Sequence, residues 1–393
     1  MPLANALRTA EQLEDPEPTY PLDLALCPHC TLVQITETVP PKQLFREYPY
    51  FSSFSETTLR HAERLVGGLI ASRRLDGTSL AMEVASNDGY LLQYYQRRGI
   101  PALGIEPALN VARTAREERG IRTLCEFFSH DLARQLRDQG QRADVLHAHN
   151  VLAHVVDLNG FVKGIGMVLN DEGVAVIEVP YVKDLIDRCE FDTIYHEHLC
   201  YFSCTALDRL FRAHSMVLVD VERIPIHGGS LRLFVQRNDG PTTLNDHQSP
   251  TVPRLLADEA AWGVDQMAFY LDFGRHVERI RTSLRSLLLS LKREGARIAA
   301  YGAAAKGTIL LNYCSIGKDI LDFVVDRSPH KQGCYMPGVY LPIYPPEYLQ
   351  SALPDYVLLL TWNIADEILE QQREYRGRGG RFIIPIPEPR VEG

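Results

Sequence analysis

Apolar positions along the chain alternate between two spacings, and this alternation predicts the secondary structure. Short apolar runs, such as those at 78–84 and 174–179, predict strands that are buried on both faces. Elsewhere apolar residues recur every three or four positions, as on a helix that packs through one face. The first such set is Leu59, Ala62, Leu65, Val66 and Leu69. Between 78 and 179 the two patterns alternate, which predicts an α/β fold with a parallel sheet covered by helices on both sides.

The pattern changes after residue 205. Two apolar runs within 216–237, joined by a turn at 227–230, predict a β-hairpin. Helical spacing dominates 253–294, and a second alternation of strands and helices begins near Ala296, which predicts a smaller Rossmann-like sheet. The chain therefore divides into an N-terminal segment (1–55), a central α/β unit (56–240), and a helical linker with a C-terminal Rossmann-like unit (241–393).

Composition and charge limit the classes of function. With 393 residues, 45% of them hydrophobic, the chain can build more than one globular domain. A formal net charge of −9 and the lack of a basic stripe argue against a nucleic-acid partner, so a few local cations must meet any anionic substrate. No apolar run approaches the roughly 18 residues of a membrane span, and the first residues lack a signal-peptide pattern. We expect a cytoplasmic protein, a monomer or weak homodimer.

The eight cysteines are scattered, which is not the spacing of a disulfide framework and favours a reducing compartment. Only Cys27 and Cys30 form a CxxC pair, and such a turn can present two thiolates to zinc. A closed structural zinc site needs four ligands. Two free thiols therefore remain the alternative.

A polar turn after the run at 78–84 predicts a cofactor site. Its small residues let a ligand approach the backbone, and the next strand ends at Glu106, which can accept hydrogen bonds from two ribose hydroxyls. This pairing suits NAD or S-adenosylmethionine (SAM), and the absence of a GxGxxG motif favours SAM. The candidate cofactor-binding residues are Glu83, Ala85, Asn87, Asp88, Gly89, Glu106, Pro107 and Asn150.

The stretch 191–203, FDTIYHEHLCYFS, concentrates ionisable and aromatic residues shortly after the apolar run at 174–179. Open α/β sheets bind ligands at the carboxyl ends of their strands. His154 follows the preceding strand and is expected on the same rim. The alternative to a functional site is a structural loop whose polar side chains hydrogen-bond to one another. The convergence of several polar groups on one edge favours a catalytic site.

The C-terminal unit carries a similar turn at YGAAAKG, 301–307. Gly302 and the alanines after it allow close approach to the backbone, and Lys306 with a helix N-terminus can hold a phosphate. A tight turn that simply needs small residues is the alternative.

Eight segments, in this order, resemble the three-domain SAM-dependent sugar C-methyltransferases, in particular the type that methylates carbon 3 of a dTDP-linked 4-keto deoxysugar in tetronitrose biosynthesis. They are CPHCTLVQ, EYPYFSS, EVASNDGYLL, GIEP, NVLAHV, FDTIYHEHLCYFS, IPIHGGSLR and YGAAAKG. The resemblance implies a zinc-binding N-terminal piece, a central class I SAM methyltransferase (Rossmann-like) domain and a C-terminal Rossmann-like domain. The active site would lie between the last two. Relatives carry two CxxC pairs, of which this sequence has the second.

The resemblance also implies roles for individual residues. His198 would be the base, with Glu197 orienting it or exchanging roles with it. Tyr195 and His154 would donate hydrogen bonds near the enolate oxygen. Tyr48, Tyr50 and Ser53 match an aromatic loop that closes over SAM and the sugar. The implied substrate-binding residues, several of them for a nucleotide diphosphate, are His196, His227, Gly228, Gly302, Lys306, Arg327 and Lys331.

The expected activity is therefore deprotonation of carbon 3 of a nucleotide-linked 4-keto sugar, followed by methylation of the enolate from SAM. Three alternatives remain. One is a SAM-dependent methyltransferase for other keto sugars or for a non-sugar carbonyl metabolite. The second is an NAD-dependent oxidoreductase with two Rossmann-like halves, and the third is a binding protein without catalysis.

Overall fold

The computed structural model describes residues 1–44, 51–226, 228–238 and 248–393. Tyr48, Tyr50 and His227, and the predicted boundary at 240, lie outside these residues. In the N-terminal segment, the strands β1 (Leu24–Leu26) and β2 (Val33–Ile35) and the short helix α1 (Pro41–Leu44) follow a 3-10 turn at Glu11–Glu14.

The central unit begins with the helix α2 (Glu56–Arg73) and then alternates strands and helices. Its strands are β3 (Ala81–Val84), β4 (Ala102–Ile105), β5 (Thr123–Leu124), β6 (Ala143–His149), β7 (Leu169–Pro180), β8 (Cys200–Tyr201), β9 (Met216–Ile224) and β10 (Ser230–Arg237). Its further helices are α3 (Leu92–Gln96), α4 (Leu109–Glu117), α5 (His130–Asp138), α6 (Leu158–Val168), α7 (Val182–Asp187) and α8 (Cys204–Arg212).

The central sheet has the strand order β5-β4-β3-β6-β7-β10-β9. The strands from β5 to β7 pair in parallel, whereas β10 lies antiparallel between β7 and β9. This is the order expected of a class I methyltransferase sheet, with the predicted hairpin completing it. Val145, Leu146 and Ile177 are fully buried within it, as expected for strands covered on both faces. The predicted α/β fold is confirmed.

The C-terminal unit begins with the helices α9 (Thr251–Trp262) and α10 (Met267–Arg293). Its strands are β11 (Ile298–Tyr301), β12 (Val324–Val325), β13 (Ile343–Tyr344), β14 (Tyr356–Leu359), β15 (Arg381–Ile384) and β16 (Arg390–Glu392). Its remaining helices are α11 (Ala305–Tyr313), α12 (Tyr348–Ala352), α13 (Ala365–Gln371) and α14 (Arg373–Gly377). The sheet order is β13-β12-β11-β14-β15-β16, parallel except for β16, so the predicted second Rossmann-like sheet is confirmed.

The N-terminal segment contacts both units. β2 pairs with β8, which joins it to the central unit in a β1-β2-β8 sheet. Arg8 and Tyr335 form an antiparallel bridge, and the Thr308 hydroxyl donates to the Ala4 carbonyl at 2.9 Å. The first residues of the chain are therefore fixed against the C-terminal unit.

A buried carboxylate docks the helix α9 onto the central unit. Glu259 is fully buried and accepts hydrogen bonds from the Tyr181 hydroxyl at 2.8 Å and from the backbone N–H groups of Cys204 and Thr205 at 2.7 Å each. These N–H groups belong to the first turn of α8, where a negative charge is favoured.

We predict that Glu259→Ala lowers the free energy of unfolding by about 3 kcal/mol, because it removes charge-assisted hydrogen bonds and leaves buried donors unpaired. Thermal and denaturant unfolding measure the effect. Asp258→Ala is the matched control, since Asp258 is exposed on the same helix, and it should change stability by less than about 0.5 kcal/mol. Equal effects of the two substitutions would contradict the docking role of Glu259.

Candidate active site

All three parts of the chain hold the loop at 191–203. Phe191 packs into the apolar core of the C-terminal unit, and Asp192 Oδ2 accepts a hydrogen bond from Trp362 Nε1 at 2.7 Å. Glu197 Oε1 accepts one from Asn5 Nδ2 at 2.6 Å. The loop then ends in β8, which pairs with β2. Its polar residues are thus positioned by contacts from outside the central sheet.

Tyr195, His198 and His154 form a compact aromatic cluster. The ring centroids of Tyr195 and His198 are 4.2 Å apart, and those of His154 and His198 are 5.0 Å apart. The cluster lies beyond the carboxyl ends of β6 and β7, on the rim that the sequence predicted.

Backbone carbonyls assign the tautomers of both histidines. His198 Nδ1 lies 2.9 Å from the Thr193 carbonyl, and His154 Nδ1 lies 2.5 Å from the Glu197 carbonyl. A carbonyl can only accept, so each neutral imidazole carries its proton on Nδ1. The basic atom of His198 is therefore Nε2, which lies 3.0 Å from the Tyr195 hydroxyl.

Burial changes the ionisation of the cluster. It lowers the pKa of His154, which is therefore neutral around pH 7. It raises the pKa of Glu197, and the hydrogen bond from Asn5 partly reverses that rise. Tyr201, whose ring centroid is 6.5 Å from that of His198, has a buried hydroxyl that also belongs to this environment. Asn5 and Tyr201 were not among the predicted site residues.

His196 points away from this cluster. Its Nε2 lies 3.0 Å from the Pro21 carbonyl, its ring meets Tyr20 edge-on, and it is 1% exposed. Contact with the N-terminal segment explains its position, so we correct the predicted substrate-binding role of His196.

The predicted cofactor turn has the backbone of a ligand cradle. Ala85, Asn87 and Gly89 all adopt positive φ, and a side chain at Gly89 would meet Ile121 at 2.9 Å. The two carboxylate oxygens of Glu106 accept hydrogen bonds from the backbone N–H groups of Asn87 and Ala108, both at 2.9 Å. Glu106 is thus fixed at the strand tip, where the sequence predicted a ribose acceptor.

Other residues predicted to bind the cofactor lie next to the turn at 85–89. The Ser52 N–H donates to Asn87 Oδ1 at 2.9 Å, and the Ser53 hydroxyl donates to Asp88, so the segment before α2 lies over the turn. Asn150 adopts positive φ after β6, and its N–H donates to the Glu178 carbonyl at 2.8 Å. Pro107 follows Glu106 directly.

Two buried carboxylate oxygens of the turn lack a hydrogen-bond partner among the described residues: Glu83 Oε2 and Asp88 Oδ1. Burial and the neighbouring carboxylates hold the pKa of Glu83 well above its usual range. Acceptors of this kind fit a ligand that brings hydroxyl donors and positive charge, as SAM does with its ribose, ammonium and sulfonium groups. The residues present therefore fit SAM.

A polar row that the sequence analysis missed runs across the face of the sheet below α2. The Tyr95 hydroxyl lies 2.9 Å from His147 Nε2, and His147 Nδ1 lies 3.2 Å from His149 Nε2. The row continues to Glu178, to which Arg232 Nε donates at 2.8 Å. Burial opposes ionisation of Glu178, but His149, His61 and Arg232 outweigh it and hold its pKa well below the usual range. The alternating His-Ala-His of β6 was the available signal.

The turn at 301–307 of the C-terminal unit would let a ligand approach its backbone closely, but side chains of the protein already bond to part of it. Gly302 has φ of +97°, and a side chain there would meet Thr361 at 2.6 Å. The Ala303 N–H already donates to Asp326 Oδ2 at 2.7 Å, and Lys331 Nζ donates to the Ala303 carbonyl at 2.8 Å. The protein's own groups therefore occupy part of the predicted phosphate cradle.

The predicted cations differ in position. Lys306 Nζ donates to Asn363 at 2.8 Å and lies 4.9 Å above the Trp362 ring. Burial raises the pKa of both Glu190 and Asp192, and the positive charge of Lys306 partly opposes that rise. Lys306 thus lies where the central and C-terminal units meet. Gly228 reaches the same place, since a side chain there would collide with Glu190.

Arg327 is exposed, with its guanidinium 3.7 Å from Glu367, and Lys331 lies 3.7 Å from Asp326. Both therefore already have carboxylate neighbours.

Cys27 and Cys30 lie in a tight turn in which the Cys27 N–H donates to the Leu32 carbonyl and the Thr31 N–H donates to the Cys27 carbonyl, both at 2.9 Å. Across the described ranges, no group of three or more His, Cys, Asp and Glu side chains is placed to hold a metal ion. Two thiols alone do not fit a closed zinc site. Among the same residues no helix is long and apolar enough to cross a bilayer.

Three family models match the chain in order. They carry the descriptions "Putative zinc binding domain" for residues 1–45, "Methyltransferase domain" for 59–220, and "C-methyltransferase C-terminal domain" for 225–387.

The chain is 34% identical over 390 residues to C-methyltransferase NovU of Streptomyces niveus, with 99% of this chain and 92% of that protein covered. It is 28% identical over 99 residues to ubiquinone biosynthesis O-methyltransferase of Azorhizobium caulinodans, covering 24% of this chain and 38% of that protein. Among solved structures, the PH0226 protein from Pyrococcus horikoshii OT3 matches with a TM-score of 0.40 and 16% identity, covering 50% of this chain and 99% of that chain.

The carboxylate of Asp192 predicts a pH effect on stability. Burial raises the pKa of Asp192 to about 6, although Lys306 and the Trp362 N–H oppose the rise. The unfolded chain has a pKa near 4, so between about pH 4 and 6 the folded state binds the proton more tightly and stability falls as pH increases. Asp192→Asn keeps an acceptor for Trp362 and removes this loss.

We therefore predict that Asp192→Asn matches the parent protein at pH 4 and exceeds its stability by about 3 kcal/mol at pH 8. Denaturant unfolding at a series of pH values measures the difference, with the exposed Asp319→Asn as the control. A difference between Asp192→Asn and the parent that does not change with pH would contradict the raised pKa.

Proposed function

Because the chain belongs to the C-methyltransferase family that includes NovU, we propose that it transfers the SAM methyl group to carbon 3 of a nucleotide-linked 4-keto deoxysugar. The observation that carries the proposal is the Tyr195–His198–His154 cluster with Glu197 at the carboxyl edge of a sheet of class I methyltransferase order. A base and a hydrogen-bond donor gathered at one point are what enolisation next to a ketone requires.

Carbon–hydrogen bonds become acidic only when the resulting charge can move to oxygen. A ketone at carbon 4 provides that oxygen, so a side-chain base can remove the proton on carbon 3 and leave an enolate. Bound SAM supplies the electrophilic methyl group that the enolate carbon takes up. The protein must hold the base, stabilise the enolate oxygen and fix the sugar beside the cofactor.

We assign the base to His198. The Thr193 carbonyl fixes the proton on Nδ1 and leaves Nε2 basic, and an imidazole titrates near neutral pH. The Tyr195 hydroxyl, which contacts Nε2 before substrate arrives, is the proposed donor to the enolate oxygen. His154 lies beside His198, but its single proton is on Nδ1 and bonds to the Glu197 carbonyl, so His154 packs against the base and is not a second donor. Glu197 is the carboxylate whose charge favours the protonated His198 that forms in this step.

We place SAM on the turn at 85–89 and on Glu106, and the nucleotide diphosphate at the junction of the units. Lys306 and the turn at Gly302 support the latter placement, while Arg327 and Lys331 contribute less because carboxylates already accompany them. In this proposal the three parts 1–55, 56–240 and 241–393 have separate roles, with SAM on the central part and the nucleotide where the central and C-terminal parts meet.

The acceptor is tested by incubating the enzyme and SAM with a panel of nucleotide keto sugars and locating the new methyl group by mass spectrometry and NMR. A product with one added methyl group at carbon 3 is expected. Carbon 5 is also adjacent to the ketone, so a methyl group there would overturn the position of transfer. Methylation of only non-sugar carbonyl compounds would overturn the acceptor class.

We predict that Glu106→Gln weakens SAM binding by about tenfold to a hundredfold, because an amide cannot accept at both oxygens. Titration calorimetry measures the affinity, and Glu117→Gln on the exposed end of α4 is the control. SAM binding that is unchanged in Glu106→Gln would remove Glu106 from the cofactor site, and a parent protein that does not bind SAM would end the proposal.

The base is tested by the exchange of the carbon 3 proton in D2O, with S-adenosylhomocysteine in place of SAM. We predict that His198→Ala loses both exchange and methyl transfer, whereas Glu197→Gln keeps slow exchange, and that both bind SAM normally. An enzyme-free sample gives the background rate. The reverse pattern would assign the base to Glu197, and near-normal turnover in both variants would exclude both assignments.

A further inference from the structure

The first residues of the chain reach the candidate active site. Asn5 Nδ2 donates to Glu197 Oε1 at 2.6 Å, across 192 positions of sequence. Glu197 is 7% exposed, whereas Asn5 is exposed. Asn5 therefore lies between the buried carboxylate and the solvent-facing side of the site.

This contact has a rigid support. Ala4 is 4% exposed, and its carbonyl accepts from the fully buried Thr308 hydroxyl at 2.9 Å. The Met1 amino group donates to the Tyr20 carbonyl at 2.8 Å, and Arg8 bridges to Tyr335. Packing on both sides of Asn5 fixes its backbone, so the amide is aimed at Glu197 by the fold rather than by a flexible terminus.

We propose that Asn5 is a positioning residue of the active site, which orients the Glu197 carboxylate and keeps it ionised for the reaction. The N-terminal segment then supplies a working part of the catalytic centre in addition to its β1-β2-β8 sheet. The role of Glu197 in catalysis rests on the proposed function, whereas the contact itself does not.

The charge balance around Glu197 explains the need for a donor. Burial favours the neutral carboxylic acid, and the Asn5 amide is the group that opposes this effect. Among the described residues, the titratable groups near this turn include Tyr195 and His198 of the same loop, His154, which donates to the Glu197 carbonyl, and His196, whose Nε2 donates to the Pro21 carbonyl. The Met1 amino group and Glu37 also act on His196. Burial lowers the pKa of His154 and of His196, so neither supplies a positive charge at neutral pH.

The test is the pH dependence of kcat/KM for methyl transfer in Asn5→Ala, Asn5→Asp and the parent enzyme. The acidic limb reports the protonation of both His198, the proposed base, and Glu197. Loss of the donor should move the Glu197 step of this limb to higher pH by about one unit, the size of one charge-assisted hydrogen bond. Asn5→Asp should move it further, because it places a second carboxylate beside Glu197. Glu11→Gln, an exposed change in the same segment, should leave the limb in place.

An acidic limb in Asn5→Ala that coincides with that of the parent would overturn the proposal. A loss of activity that is equal at every pH would do so too, because a merely structural role lowers activity without moving the limb. Thermal unfolding of each variant confirms that the comparison is made on folded protein.

A second measurement separates this inference from the proposed function. Infrared difference titration of 13C-glutamate-labelled protein, with Glu197→Gln to assign the band, follows the protonation of Glu197 without any substrate. Asn5→Ala should raise the midpoint by about one pH unit, and an unchanged midpoint would overturn the role of Asn5. If the parent protein methylates no keto sugar but Asn5→Ala still raises the midpoint of Glu197, the proposed function is refuted and the role of Asn5 toward Glu197 is retained.

Discussion

The arrangement of the active site depends on three attachments of a single loop. Residues 191–203 contact the C-terminal unit through Phe191 and the Trp362–Asp192 hydrogen bond, and the N-terminal segment through Asn5 and the pairing of β8 with β2. They contact the central unit through the parallel bridge between Tyr181 and Phe202. Each attachment removes conformational freedom that the loop would otherwise keep. Tyr195, Glu197 and His198 lie between these points, so the fold positions them together, as the proposed catalytic site requires.

Both sheets stabilise their first turn in the same way. In the central unit Glu106, at the tip of β4, accepts from the Asn87 N–H, and in the C-terminal unit Asp326, at the tip of β12, accepts from the Ala303 N–H. A carboxylate at the tip of the second strand can therefore order a turn before any nucleotide binds. In this protein of net charge −9, part of the negative charge at both proposed ligand-binding turns is therefore already neutralised by hydrogen bonds from the backbone.

Prediction and structure agree best for features whose conformation depends on residues close together in the sequence. Short apolar runs and helical spacing located the strands and helices, since burial on both faces of a sheet or on one face of a helix imposes those patterns. The turn at 85–89 and Glu106 were predictable because positive-φ turns and strand-tip carboxylates leave local signatures. His196 was assigned wrongly, since spacing alone cannot distinguish it from its neighbours Tyr195 and Glu197. A neighbouring segment, through Pro21, draws its ring away from the cluster.

The sequence by itself determined the two Rossmann-like sheets, the turn at 85–89 with Glu106 at the neighbouring strand tip, and the rim on which the polar loop lies. Only the tertiary structure decided which side chains meet across the parts: Asn5 with Glu197, Trp362 with Asp192, and Glu259 with the start of α8. These pairs are separated by 192, 170 and 55 positions. No local pattern encodes such partners, because contacts between distant segments arise from the packing of whole units rather than from the periodicity of one element.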